Sequence, residues 1–258
     1  MFLGEFSRGI SAHIDAAKFA WKHRLGWYFI IPLLLSILLF FAGIHSVWST
    51  GIFARDKFLE WINPYIDSAG DGSLLLTFLA WLLGIIVQGV IGYILIILLL
   101  KLVRYIILIL ISPILALVSE RVEEIMTGKK NPFEFKQFLK DMLRGITVSL
   151  RNMFIELGLL LLTFLVLWIP VVNILAVPAG ALFSWYFLGF NMMDYTYERR
   201  RMKISEGAAF TRKHKGLAMG NGLVYSLLVY IPIIGFSFGP VLSVIAATIA
   251  TVEKMEKK

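Results

Sequence analysis

Leu-Trp-Ile-Pro-Val-Val-Asn at 167–173 and Val-Tyr-Ile-Pro-Ile-Ile-Gly at 229–235 interrupt two long apolar runs at the same point. In each, a proline breaks the helical hydrogen-bond ladder inside a stretch too apolar for a solvated loop. At an offset of 62 positions Ile169 falls on Ile231, Pro170 on Pro232, Pro178 on Pro240 and Gly158 on Gly220. Two prolines at identical spacing mark an internal repeat. The repeated unit is an apolar helical hairpin, over 153–190 in the first copy and 216–252 in the second. Arg199, Arg200, Arg201, Lys203, Arg212, Lys213 and Lys215 lie between the copies, and Lys254, Lys257 and Lys258 follow the second. Basic flanks are cytoplasmic by the positive-inside rule, so each hairpin enters and leaves on that side. The arm from Gly222 to Ile231 is roughly 15 Å of helix, about half of a hydrocarbon core. That length favours a re-entrant hairpin over a full crossing.

Working outward, residues 27–48 carry no formally charged side chain apart from a protonated His45, and they have aromatics at both ends. They make a first span of roughly 33 Å. Residues 49–73 hold Asp56, Glu60, Asp67 and Asp71 against Arg55 and Lys57 and are expected outside. Residues 74–118 form a second long span, bent at Ser112-Pro113, and 119–152 form a basic cytoplasmic segment, as do 191–215. Within 1–26, Phe2, Phe6, Ile10, Ile14, Ala17 and Trp21 share one face of a helix. That face suits either the cytoplasmic membrane interface or the protein's own loops. The expected fold is an all-α integral membrane protein. It has two long transmembrane helices, two re-entrant (hemi-penetrating) hairpins and an N-terminal interfacial helix, with six complete spans as the other arrangement. The 258 residues are 59% hydrophobic and 16% charged, with mean hydropathy +0.80. A soluble chain is nearer half apolar and about a quarter charged.

Several function classes fall away. The net charge of +8 sits in loops beside apolar runs, which argues for membrane lipids and against nucleic acid as the partner. With no cysteine, thiol catalysis and cysteine-ligated metal are excluded. His13, His23, His45 and His214 have no metal-ligand spacing, and no nucleophile elbow or Walker loop is present, so neither enzyme nor cofactor is expected. Backbone at a re-entrant tip must be covered by protein or line a wet cavity, which favours a homo-oligomer. Gly235-Phe-Ser-Phe-Gly239 offers either close helix contact or a turn.

Ile-Ile-Pro-Leu-Leu-Leu (30–35) after Arg24-Leu25-Gly26, Ile-Ser-Pro-Ile-Leu-Ala-Leu-Val-Ser-Glu-Arg-Val (111–122) and Met-Asp-Tyr-Thr-Tyr-Glu-Arg-Arg-Arg-Met (193–202) point to one family. So do Phe210 to Gly222 and the second hairpin before Ala-Ala-Thr at 246–248. The chain resembles the CysZ sulfate permeases and the related etoposide-induced membrane proteins, in the same order over most of its length. The resemblance implies a bacterial inner-membrane protein that forms homo-oligomers, and the basic flanks place both termini on the cytoplasmic side. It also implies passive or proton-linked sulfate entry for cysteine synthesis. Sulfate in such proteins meets backbone N–H groups and arginine in a Gly-Leu-Arg-Arg-like stretch before the first span. Here the matching stretch is Arg24-Leu25-Gly26-Trp27-Tyr28, without the arginine pair.

The candidate anion site is therefore Arg24, Leu25 and Gly26, where helix-start N–H groups and a guanidinium suit a dianion. The competing reading makes Lys22, His23 and Arg24 snorkelling anchors. Lys101, Arg104, Arg151 and Glu156 are path candidates. Lys101 and Arg104 serve equally as anchors, and Glu156 as a partner of Arg151 or Arg144. Gln88 suits a mid-span interhelical hydrogen bond, Ser119-Glu120 a helix cap, Gly220-Asn-Gly222 a helix entry, and Arg199 to Lys203 a headgroup anchor. The alternative function is a non-transporting membrane scaffold or regulator that keeps the fold and has lost the sulfate site.

Overall fold

A computed structural model describes residues 2–68, 74–128, 135–166, 172–231 and 233–256, and every regular element among them is helical. The order is α1 (Phe2–Lys22), a 3-10 turn (Leu25–Phe29), α2 (Ile30–Ser68), α3 (Leu74–Leu110), α4 (Ser112–Thr127), α5 (Phe135–Val166), α6 (Val172–Arg199), α7 (Ile204–Lys213), α8 (Lys215–Val229) and α9 (Ile234–Glu256). Among the described residues four helical stretches are long and apolar enough to cross a membrane: Leu25–Ile66, Leu75–Leu99, Met142–Thr163 and Ile234–Glu256. The protein is an all-α membrane protein. The chain divides into two compact units, residues 37–103 and residues 1–36 with 104–258.

In the first unit the bodies of α2 and α3 pair antiparallel. Gly43 faces the Leu99 side chain, Gly51 faces Gln88, and Gly84 lies against Arg55 and Leu59. Gln88 thus packs against a glycine of the partner helix. Where a loop is expected after Trp48, α2 runs on to Ser68 without a break. Its charges support rather than interrupt it, since Lys57 reaches Glu60 at 2.6 Å one turn away and Arg55 lies 2.9 Å from Asp56. Pro64 is carried inside the helix. At about 1.5 Å per residue, α2 extends some 58 Å, nearly twice a hydrocarbon core. Asp67 and Asp71 of the expected outer loop lie outside the residues described in full. Only 6% of the apolar window of α3 is buried, so away from its contact with α2 its leucines and isoleucines face outward, as lipid permits.

The second unit is built around α9, whose apolar window is 83% buried beneath α1, α4, α6 and α8. Ile111 separates α3 from α4 and Pro113 sits in the first turn of α4, placing the bend where Ser112-Pro113 predicts it. Ser119 does not cap a helix, because α4 has already begun at Ser112. It is buried, with its hydroxyl 3.0 Å from that of Thr248. Residues 135–152, expected as a cytoplasmic segment, are helical and continuous with the first hairpin arm in α5.

The face of α1 that meets protein is its small-residue face, Gly9, Ala12, His13, Ala16 and Ala20, and not the apolar stripe. A Cβ on Gly9 would sit 2.5 Å from the Leu217 carbonyl oxygen, and one on Gly216 would sit 2.6 Å from that of Phe2. Gly216 and Gly220 therefore lie inside α8 as packing positions, and Gly220-Asn-Gly222 is no helix entry. Leu3, Ile14 and Trp21 stay 77%, 61% and 90% exposed. Gly235 and Gly239 likewise pack α9 on α8 within one chain, against Leu228 and Tyr225. Between those helices Ile233 takes a left-handed conformation (φ 64°) that strains a β-branched residue. Its carbonyl accepts hydrogen bonds from Ser237 Oγ at 2.6 Å and Ser36 Oγ at 3.3 Å, tying the turn to the start of α2.

Candidate functional site

Arg24 is where the chain turns out of α1. It adopts a left-handed backbone (φ 56°, ψ 40°) ahead of the 3-10 turn, which redirects the chain between α1 and α2. Leu25 is the anchor of this corner, 3% exposed, and Phe29 stacks on Phe238 with centroids 5.0 Å apart. Arg24 and Gly26 are exposed, and beyond the turn's own backbone and the neighbours in the chain no heavy atom of the described residues lies within 4 Å of where a Gly26 Cβ would be. The corner thus presents a guanidinium beside open backbone. Among the described residues Arg24 has no carboxylate partner. By contrast Arg8 pairs with Asp15 and Glu253, Arg144 with Asp194, Arg199 with Glu120 and Arg200 with Glu123.

A second arrangement lines the first hairpin. The α5 positions Gly145, Ser149, Asn152 and Glu156 recur at alternating steps of four, three and four, which keeps them on one helical face. Each meets α6. Ser184 Oγ donates to Glu156 Oε1 at 2.8 Å, and Asn152 Nδ2 donates to the Phe187 carbonyl at 3.4 Å. Asn191 Nδ2 donates to Ser149 Oγ at 3.3 Å, and Gly145 lies against the Tyr195 ring. Arg144 closes the base with a two-pronged contact to Asp194, at 2.8 and 3.1 Å, and a further hydrogen bond to the Met202 carbonyl. Every pair is centred within one position of residue 170, so this polar seam follows an antiparallel helix pair over 144–156 of α5 and 184–195 of α6. Tyr105 Oη, from the end of α3, donates to Glu156 Oε2 at 2.6 Å. A buried carboxylate needs such donors to offset its lost hydration.

The structure thus sorts the candidates. Arg24, Leu25 and Gly26 share one turn. Arg151 and Glu156 share α5 but have different surroundings. Arg151 is exposed, its guanidinium 5.2 Å from the Phe190 ring centre, whereas Glu156 is 4% exposed and held by two hydroxyls. Arg144, offered as a partner for Glu156, is committed to Asp194 instead. Lys101 and Arg104 fall on α3, with side chains outside the described residues. Tyr105, Ser184 and Asp194 were not anticipated. The alternating polar positions on α5 were the available signal, hidden by reading 119–152 and 153–190 as separate segments.

A cavity of about 370 Å³ opens between the ends of α4, α6 and α9. Glu120, Glu123, Glu124 and Glu256 line it against Arg199 and Arg200. Four carboxylates outweigh two guanidinium groups, so it does not attract a dianion. It also engages two arginines of the basic run 199–203, leaving them less to offer lipid headgroups.

Comparison with known proteins agrees with this architecture. The family model described as sulfate transporter CysZ/etoposide-induced protein 2.4 matches residues 12–240. A sulfate transporter CysZ of Pseudomonas aeruginosa (strain LESB58) is 24% identical over 246 residues, covering 95% of this chain and 94% of its own. One from Vibrio parahaemolyticus is 25% identical over 236 residues, covering 90% of each. Another, from Pseudomonas fluorescens (strain Pf0-1), is 21% identical over 228 residues, covering 88% of this chain and 86% of its own. The match runs from α1 through both proline-centred hairpins into α9, and the chain belongs to the sulfate transporter CysZ/etoposide-induced protein 2.4 family.

Proposed function

We propose that this protein provides a path for sulfate across a bacterial inner membrane. Family membership over most of the chain carries the reading, with relatives named as sulfate transporters aligned nearly end to end. We assign first capture of the anion to Arg24 with the backbone of Leu25 and Gly26. The supporting observation is the exposed Arg24 guanidinium, free of any carboxylate among the described residues. Such a group gives a dianion a charge-assisted hydrogen bond and raises its local concentration. Arg151, Lys101, Arg104 and the Glu156 seam are the further path candidates.

In this reading the protein works as a homo-oligomer with both termini and the basic segments cytoplasmic, 49–73 outside, and 1–26 along the inner interface. The two hairpins enter the bilayer from the cytoplasmic side without crossing it. The 15 residues of α8 support this, since they reach only about 22 Å. The polar seam supports it too, because backbone and polar groups at that depth need cover by protein or water.

Sulfate uptake by reconstituted vesicles tests the function, with protein-free vesicles and Arg24→Ala alongside. Wild type is expected to exceed empty vesicles. Arg24→Ala is expected to weaken sulfate binding by about 1.5–3 kcal/mol, roughly 10- to 150-fold. Uptake equal to that of empty vesicles establishes the non-transporting scaffold instead. Uptake unaffected by Arg24→Ala keeps the function and removes the site assignment.

A further inference from the structure

The Arg24 corner is too short to hold its own shape. Leu25–Phe29 is a five-residue 3-10 turn, entered through the left-handed Arg24 and containing Gly26. Hydrogen bonds in such turns are poorly aligned, and an exposed glycine adds conformational freedom. Neighbouring elements must therefore fix where the guanidinium and the N–H groups of Leu25 and Gly26 point. The turn has two buried side chains, Leu25 and Phe29, one at each end. Phe29 rests on Phe238 of α9, with ring centroids 5.0 Å apart and ring planes inclined by 26°.

Phe238 is in turn seated by the tip of the second hairpin. Ile233 there is left-handed (φ 64°), a conformation that a β-branched residue keeps only where its surroundings impose it. Its carbonyl accepts from Ser237 N at 3.0 Å, Ser237 Oγ at 2.6 Å and Ser36 Oγ at 3.3 Å. Ser36 is fully buried on α2, the helix into which the corner leads. The contacts close a circuit from the corner to α2, from α2 to the hairpin tip, and through Phe238 back to the corner. Building a hairpin does not by itself call for this circuit. At the 62-residue offset the first copy carries Ala176 where the second carries Phe238. Phe238 also keeps 42% of its surface exposed, so filling the core is not its task.

With capture assigned to Arg24 as above, we propose that Phe238 is a positioning residue for sulfate binding. Through Phe29 it holds the Arg24–Gly26 turn in the conformation that receives the anion, and Ser36 steadies it through Ile233. Phe238 offers the anion no polar atom and acts only through the turn.

Saturation curves for sulfate uptake by reconstituted vesicles, scaled to the protein incorporated, separate positioning from stability. Phe238→Ala is expected to raise KM for sulfate about 2- to 12-fold, the range set by one aromatic pair, and to leave the maximal rate unchanged. Phe238→Tyr keeps the ring and is expected to keep the wild-type curve. Ser36 shares its hydroxyl with the Leu33 carbonyl of its own turn, so Ser36→Ala is expected to give a smaller rise. That variant removes a single hydroxyl and reports on the same circuit if Phe238→Ala does not fold. In the Arg24→Ala background the rise from Phe238→Ala is expected to shrink, because the guanidinium it places is gone. An unchanged KM in both Phe238→Ala and Ser36→Ala overturns the proposal, as does a lower maximal rate alone. Equal rises from Phe238→Ala in the wild-type and Arg24→Ala backgrounds overturn it too. If Arg24→Ala itself leaves the curve unaltered, the capture assignment fails and the positioning role fails with it. If Arg24→Ala raises KM while Phe238→Ala and Ser36→Ala do not, only the positioning role fails.

Discussion

His13 shows how a single residue couples acidity to the docking of α1. Its Nδ1 lies 3.2 Å from the Gly9 carbonyl, which can only accept, so Nδ1 carries the proton and Nε2 accepts from Ser243 Oγ at 3.1 Å. Burial disfavours the imidazolium and lowers the group from 6.5 to about 4. The unfolded chain therefore binds the extra proton first, and stability present above pH 6.5 is lost as pH falls toward 4. The full loss is about 3 kcal/mol. Nearby, burial pushes the Glu5 carboxyl up, but His214 at 2.7 Å and Lys254 at 3.0 Å outweigh it and hold it below its ordinary value. Glu5 thus adds to the acid sensitivity as pH drops through the carboxylate range. Thermal melts in detergent should show Tm declining between pH 6.5 and 4, with a shallower decline for His13→Asn. A flat profile in wild type refutes this account. None of it was legible in the sequence, where His13 is one of four scattered histidines. Its environment is made by Ser243, 230 positions away. Glu156 is a middle case, because a lone carboxylate in an apolar arm announces a polar site without naming Tyr105 or Ser184.

At the scale of the element, the proline repeat was the most legible feature of the chain. Val172 opens α6 and Ile234 opens α9, 62 positions apart, matching the sequence offset. The repeat concealed a difference. The first hairpin meets along polar side chains, whereas the second is packed largely on glycine, with Asn221 Nδ2 donating to the Ser243 carbonyl at 3.1 Å. The far half of α2 was misread because acidic residues after an apolar run look like a loop when only composition is weighed. The pairing of Lys57 with Glu60 at one-turn spacing becomes visible only once the helix is drawn. Close packing of α8 on α1 makes Gly220→Ala a sharp test of that interface, since the new methyl meets the Phe6 carbonyl. The substitution should destabilise by about 1–3 kcal/mol, read as a lower Tm in detergent. An unchanged Tm would show that α1 yields at little cost.

For the whole molecule, orientation is the property that charge foretells and helices alone do not display. Because the chain lacks cysteine, single-cysteine labelling can test it directly. Cysteines near Lys130 and Arg200 should react only from the cytoplasmic side and one near Asp67 only from outside, while positions near Asn173 and Gly235 should resist external reagent. Full external labelling at those last two positions would establish complete crossings. A monomer by light scattering in both mild detergent and nanodiscs would refute the homo-oligomer. The closeness of α1 to α8 also sets a clock on the ribosome. Gly9 leaves the tunnel long before Gly220 is made, a delay of roughly 10–40 s at ordinary rates of synthesis. Through that interval the first helix lacks α8 and α9 to settle on, and Glu5 lacks both His214 and Lys254. A segment made early is thus among the last to find its place.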